Sequence, residues 1–239
     1  MIYAIGDIHG QVSVLGGLLE TLDGLPLAPE DRLVFIGDYV DRGEDSRAVI
    51  DLLIEIGERR PNTVFLRGNH EQLMLDSRDG PRPEPSRIPG LILHSDITLN
   101  WLQNGGVDTL LSYGVDDFLR WWEFVPESHW HFIERTQIEF VGERHHFVHA
   151  GLLPPLQTWE GTGTSYDPRL WIREPFLSSD HDFARIVVFG HTPQRNGSPL
   201  VQGNKIGIDT GAVYGGPLTA VRLDDTGADE PTFYQVTPD

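Results

Sequence analysis

Six runs of apolar, mostly β-branched residues each stop abruptly at a glycine or a polar residue, and no other feature limits the fold as strongly. They are residues 2–5 before Gly6-Asp7, 33–36 before Gly37-Asp38, 64–66 before Arg67-Gly68-Asn69, 147–148 before His149, 186–189 before Gly190-His191 and 206–208 before Asp209. Short apolar runs closed this way predict buried strands. Between the first three, Val14, Leu15, Leu18, Leu19 and Leu22 line one face of a helix, as do Val49, Ile50, Leu53, Ile54 and Ile56, with Ser46 as the expected cap. Strand, helix, strand, helix predicts an α/β core. Residues 218–223 and 232–236 read as a closing antiparallel pair.

The segment 76–136 departs from this rhythm. A Pro-rich loop, 81–89, precedes helix-like stretches holding Trp101, Trp121, Trp122 and Trp130, and residues 114–124 predict a helix capped at Asp116 or Asp117. The segment reads as a helical insertion in one domain spanning 1–239, with its tryptophans packing only the insertion.

Composition narrows the partners. Eighteen basic against 36 acidic residues give a net charge of −18, which disfavours nucleic-acid polymers. No apolar run approaches the ~20 residues of a membrane span, and the N-terminus has no signal-peptide pattern. The chain has no cysteine. That removes disulfides, thiolate ligands and a thiol nucleophile, and fits a cytoplasmic location.

The chemistry lies in five motifs at the carboxyl ends of the expected strands. They are Asp7-Ile8-His9-Gly10, Gly37-Asp38-Tyr39-Val40-Asp41-Arg42-Gly43, Gly68-Asn69-His70-Glu71, His149-Ala150-Gly151 and Gly190-His191-Thr192. Ligands of open α/β sheets bind beyond those ends, so motifs far apart in sequence can meet. Carboxylate, imidazole and amide oxygen suit divalent cations such as Mn, Fe(II) or Zn. Asp7 and His9 are two apart on what begins as a strand, so their side chains can share a face.

These motifs, in this order, resemble the signature of the phosphoprotein phosphatase family of calcineurin-like metallophosphoesterases. The resemblance covers residues 1–71 and 145–223, and the segments around Trp101–Gly114, Trp171–Glu174 and Ile208–Gly216 resemble its bacterial and bacteriophage branch. It implies a four-layer α/β/β/α sandwich of two mixed sheets flanked by helices. It also implies two divalent metal ions, Mn foremost with Fe or Zn as alternatives, held by Asp7, His9, Asp38, Asn69, His149 and His191. By the same resemblance His70 is the general acid, paired with Asp41, and Arg42, Asn69 and Arg173 hold the phosphate. Two cations ~3.5–4 Å apart acidify a shared water and clamp an in-line displacement, so a metal-bridging hydroxide is expected to attack phosphorus directly.

The implied activity is hydrolysis of phosphoserine and phosphothreonine, with phosphotyrosine and small phosphoesters as further substrates. A symmetrical dinucleoside tetraphosphatase, which shares these motifs, is the alternative. A non-catalytic metal- or phosphate-binding regulator is the remote one, since no ligand is missing. Departures from the eukaryotic enzymes, such as Ala150 after His149, put strict Ser/Thr selectivity in doubt. Arg67 and Glu71 read as loop-orienting residues, and His94, His129, His131, His145, His146 and His181 as structural. Tyr214 is open between bordering the substrate and packing its loop.

Overall fold

The computed structural model describes residues 1–87, 92–159, 166–227 and 229–238. Residues 88–91, which include the end of the Pro-rich loop, lie outside the described residues. In chain order the structure runs β1 (Ile2–Ile5), α1 (Val12–Asp23), β2 (Arg32–Phe35), α2 (Ser46–Arg59), β3 (Val64–Phe65) and α3 (Asn69–Asp79). A small hairpin, β4 (Glu84–Pro85) and β5 (Ile92–Leu93), leads to α4 (Asp96–Trp101), α5 (Val107–Ser112) and α6 (Glu127–Arg135). Then follow β6 (Glu139–Val141), β7 (His145–Val148), α7 (Pro168–Trp171), β8 (Ile186–Phe189), β9 (Leu200–Gln202), β10 (Lys205–Gly207), β11 (Leu218–Leu223) and β12 (Thr232–Val236).

Two mixed five-stranded sheets result, ordered β12-β11-β1-β2-β3 and β6-β7-β8-β10-β9. Strands β1, β2 and β3 are parallel, as are β7, β8 and β10, whereas β11, β12, β6 and β9 pair antiparallel at the flanks. The parallel strands carry the motifs, so each sheet delivers its polar residues at one end.

Alternation decides the layering. Ile2 and Ala4 join Val34, Ile36, Phe147, Val188, Ile206 and Val221 in the apolar layer between the sheets. Tyr3 and Ile5 point the other way, into the cluster holding Leu15 and Leu18 of α1 and Val49, Ile50 and Leu53 of α2. Both faces of β1 are thus dry, which explains why its run is apolar throughout rather than alternating. The outer face of the second sheet packs Val187 and Phe189 against Ile172 and Phe176 of the segment after α7.

Two local expectations need correction. The cap of α2 is Asp45, whose carboxylate accepts the Ala48 N–H at 2.8 Å; Ser46 is the first helical residue, and its hydroxyl serves Asp41 instead. Residues 114–120 form turns, with a single 3-10 turn at Trp121–Glu123. There Asp117 accepts the N–H of Leu119 at 2.9 Å, an Asx turn that competes with the helix ladder.

Candidate active site

The strand ends meet because the backbone beyond them turns sharply. His9, Asp38, Asp41, Arg42 and His191 all have positive φ, between 47° and 73°. That left-handed region is uncommon for residues with a side chain and concentrates at functional sites. Two glycines permit the closest approaches. A Cβ on Gly68 would lie 2.1 Å from Asp38 Oδ1, and one on Gly190 would lie 2.0 Å from Asp7 Oδ1. Only glycine lets those carboxylates rest against the neighbouring loop.

Glu71 fixes the second motif. Its carboxylate accepts the N–H groups of Gly68, Asp38, Tyr39 and Val40 at 2.8–3.2 Å. Arg67 braces the other side, donating to Thr136 Oγ1, the Glu134 carbonyl and Gln72. Both orient loops.

Asp7, His9, Asp38, Asn69, His149 and His191 come together, each at most 6% exposed. His9 Nδ1 donates to the Val40 carbonyl at 2.9 Å, which leaves Nε2 as the acceptor nitrogen, 3.4 Å from Asp38 Oδ2. His149 Nδ1 donates to the Ile36 carbonyl at 2.8 Å, and its Nε2 sits 3.0 Å from Asn69 Oδ1 and 3.4 Å from Asp38 Oδ1. His191 Nδ1 meets the same Asn69 oxygen at 2.9 Å, while its backbone N–H binds Asp7 Oδ2 at 2.9 Å.

Two atoms of this set, Asp7 Oδ1 and His191 Nε2, are buried with no hydrogen-bond partner. Buried polar atoms are normally paired, so both await a ligand. The candidate ligand atoms of Asp38, His149 and His191 lie within 4.8 Å of one another, as do those of His9, Asp38 and His70. Asp38 belongs to both groups. Hard oxygen and imidazole donors around a shared carboxylate fit a pair of divalent cations.

The electrostatics are those of a cation site. Burial and the nearby Asp209 push the Asp7 carboxyl well above its ordinary value. Burial also pushes Asp38 up, but His149, His70 and His9 outweigh it and hold that carboxyl well below. Burial disfavours a charged His149, yet Asp38 and Asp7 raise it to about 10. Burial keeps His9 neutral, down at about 3, and with His149 it lowers His191. Asp209 is raised to about 6, mainly by burial.

His70 stands beside this set, 1% exposed, with Nε2 4.0 Å from Asp38 Oδ2. Its Nδ1 binds Asp41 Oδ2 at 2.6 Å. Burial opposes its charge, but Asp38 and Asp41 win and raise its pKa. Asp41 is itself gripped from the insertion. Thr109 Oγ1 donates to its Oδ1 at 2.6 Å, and Trp101 Nε1 reaches its Oδ2 at 3.0 Å. The Gly105 carbonyl accepts the Arg42 N–H at 3.3 Å.

The expectation that the tryptophans pack only the insertion therefore fails for Trp101. Trp121, Trp122 and Trp130 do pack together, with ring centroids 6.0–6.1 Å apart. Trp101, Gly105 and Thr109 are positioning residues that the motif pattern missed. The available signal was their spacing of four, which sets them in one stripe across a π turn at Leu102–Gly106.

The arginines sit at the rim. Arg42 Nη1 donates to His9 Nε2 at 2.9 Å, and Arg173 Nη2 donates to the His191 carbonyl at 3.0 Å. Tyr214 is 65% exposed, with the Arg42 guanidinium 5.9 Å from its ring centre. It borders the pocket rather than packing its loop. The histidines read as structural are distributed elsewhere: His145 pairs with Asp225, His146 with Glu139, and His129 bridges Tyr113 and Asp51.

Two mixed sheets that bring carboxylates, imidazoles and an amide to one buried point define a metal-dependent hydrolase. The chain belongs to the calcineurin-like phosphoesterase family, whose model matches residues 1–213, and membership implies divalent metal ions. It is 31% identical to the serine/threonine-protein phosphatase 1 of Salmonella typhimurium, over 93% of this chain and 91% of that protein. It is 25% identical to the symmetrical bis(5'-nucleosyl)-tetraphosphatase of Janthinobacterium sp., over 93% of each. Among solved structures, a protein serine/threonine phosphatase from Saccharomyces cerevisiae shares the fold with a TM-score of 0.59 at 16% identity, over 98% of this chain and 78% of that one. Among the described residues no helix is long and apolar enough to cross a membrane.

Proposed function

We propose that this chain is one catalytic domain that hydrolyses phosphoserine and phosphothreonine on proteins, with phosphotyrosine and aryl phosphates as further substrates. The observation that carries the reading is the 31% identity, across nearly the full length of both chains, to a bacterial serine/threonine phosphatase. Asp7, His9, Asp38, Asn69, His149 and His191 would hold two divalent cations, Mn first and Fe or Zn as alternatives. Such cations acidify water and neutralise phosphate oxygens.

The protein's own groups supply the rest. Arg42 and Arg173 are the rim guanidiniums, suited to gripping two phosphate oxygens at once. Asn69 would add an amide contact to the same group. His70 would give a proton to the leaving oxygen, since Nδ1 is engaged by Asp41 and Nε2 faces the ligand set. Asp41 holds the imidazole in that orientation and favours its protonated form. Such an acid contributes about 10²–10⁴-fold in rate.

A second reading, a symmetrical dinucleoside tetraphosphatase, is favoured by the 25% identity to such an enzyme over 93% of both chains. Metal-reconstituted protein should be assayed on phosphoserine and phosphothreonine peptides and on diadenosine tetraphosphate, with His70→Asn as control. Higher kcat/KM on the peptides supports the first reading. Dominant release of ADP at much higher efficiency would overturn it. His70→Asn should lose turnover on peptides while keeping its metal content, and unchanged turnover would remove His70 as proton donor.

A further inference from the structure

The ligand set opens into two joined spaces. The smaller, about 120 Å³, is bounded by Asp7, His9, Asp38, Asn69 and His70. The larger, about 620 Å³, shares Arg173, Pro193 and Tyr214 with it and continues past Thr192, Gln194 and Arg195. The first suits a phosphoryl group beside its cations. The second has the size of a space for a whole small-molecule ligand.

Charge distinguishes the larger space. Acidic residues outnumber basic ones 36 to 18 in this chain, yet the walls of this cavity carry two arginines and no carboxylate. Asp209 reaches only the smaller space. Among the described residues Arg195 makes no ion pair and no hydrogen bond, and its side chain is exposed. The Arg195 guanidinium is therefore not already taken up by a carboxylate of this chain. Thr192 Oγ1, on the same wall, is buried without a partner. Tyr214 adds an exposed aromatic face at the junction of the two spaces.

We propose that the larger cavity receives the leaving-group side of the substrate. Arg195 is then a specificity-determining residue that pairs with a second anionic group carried there. A phosphate held by Arg42 and Arg173 in the small space directs whatever follows its ester oxygen past Tyr214 toward Arg195. A guanidinium matches a phosphate or carboxylate bidentately. The anion can be a further phosphate of a nucleotide or an acidic side chain beside a phosphorylated residue. This assignment rests on the phosphoesterase reading of the site but not on the protein-phosphatase reading.

The test compares wild type, Arg195→Ala and Arg195→Lys, all metal-loaded, on four substrates. These are p-nitrophenyl phosphate, a phosphoserine peptide with neutral neighbours, the same peptide with acidic neighbours, and diadenosine tetraphosphate. ADP binding is measured in parallel by calorimetry. For Arg195→Ala we expect KM to rise about tenfold on at least one substrate that carries a second anionic group, with kcat little changed, as for loss of one charge-assisted contact. The effect should shrink with added salt. Arg195→Lys should recover part of it, and the two substrates without a second anionic group should stay within about twofold. A response confined to the acidic peptide identifies a peptide carboxylate as the source; one confined to the nucleotide, with weaker ADP binding, identifies a phosphate.

Equal changes on all four substrates, or none on either substrate with a second anionic group, would overturn the assignment. A wild type that prefers diadenosine tetraphosphate removes the protein-phosphatase reading and leaves Arg195 in place. If the wild type hydrolyses none of the four, the reading of the metal site fails, and ADP binding alone decides the cavity: loss in Arg195→Ala supports it, and no loss overturns it.

Discussion

Replacing Trp101 with Phe should slow proton delivery more than it disturbs the metal site. The indole Nε1 lies 3.0 and 3.2 Å from the two oxygens of Asp41, a residue with no exposed surface. Phenylalanine keeps most of the ring packing against Trp121, whose centroid is 4.8 Å away, but removes the donor. A hydrogen bond to a charged group contributes about 1.5–3 kcal/mol. For a domain of this size that is a fall in Tm of about 3–12 °C. Asp41 keeps Thr109 and His70 as partners, so the dyad loosens without dissolving. We expect a loss of about tenfold in kcat, a fraction of what a general acid supplies. The assay exploits the leaving group. A phosphoserine ester expels an alkoxide that needs the proton, whereas p-nitrophenolate leaves without one. The variant should therefore lose more on the serine ester than on p-nitrophenyl phosphate, with metal content unchanged. Equal losses on both would refute the positioning role and reduce Trp101 to a packing residue.

Gly190→Ala should retain the fold but bind less metal, because its Cβ would sit 2.0 Å from Asp7 Oδ1; elemental analysis after dialysis reads this out, and full occupancy would contradict the crowding. Cation binding should release protons and tighten as pH rises, since Asp7 and His149 both have raised pKa values in the metal-free protein and must deprotonate to act as ligands; calorimetry in buffers of different ionisation enthalpy measures the release. Asp225→Ala should lower stability by about 1–3 kcal/mol, because its carboxylate caps the N–H groups of Glu143, Arg144 and His145 and pairs with His145. Burial raises the Asp225 pKa, but those donors outweigh it and lower it. Its contribution is therefore present above the unfolded carboxyl value of about 3.9 and lost as pH falls through the lower folded value; thermal melts at descending pH should show the gap between wild type and variant closing.

That these six residues meet was legible because each lies in a contiguous motif that follows an apolar run. Asp7, Asp38, Asn69, His149 and His191 need only the rule that parallel strands share a carboxyl end. The two-sheet layering was less so. β1 is apolar on both faces, and its residues carry no mark of which face meets a second sheet and which meets α1 and α2. The positioning residues were hidden for another reason. Trp101 and Thr109 contact Asp41 across 60 and 68 residues of chain, and a buried tryptophan in a Trp-rich segment resembles ordinary core. The failed helix at residues 114–120 shows local chemistry overriding pattern: Asp117 satisfied a nearby backbone N–H and closed a turn where periodicity favoured a helix.

The concentration of buried charge explains why the site is built on strained backbone and why two sheets share it. Asp7, Asp38, Asp209 and Glu71 are each at most 5% exposed, and an uncompensated buried carboxylate costs several kcal/mol. Glu71 has all its contacts met by four backbone N–H groups, although burial and Asp38 still raise its pKa. Asp38 is offset by neighbouring imidazoles, whereas Asp7 is left with a raised pKa and one oxygen without a partner. The fold thus satisfies the carboxylate that organises the loop and leaves incomplete the one that faces the ligand set. A cation that binds only this arrangement adds its binding energy to the native state, about 2.7 kcal/mol at a hundredfold excess over Kd. The left-handed turns at His9, Asp38 and His191 cost of order 1–3 kcal/mol each, a total comparable to what a pair of such ions contributes. On the proposed metal reading, strain and metal affinity would be two sides of one design, the left-handed turns being offset once cations are held.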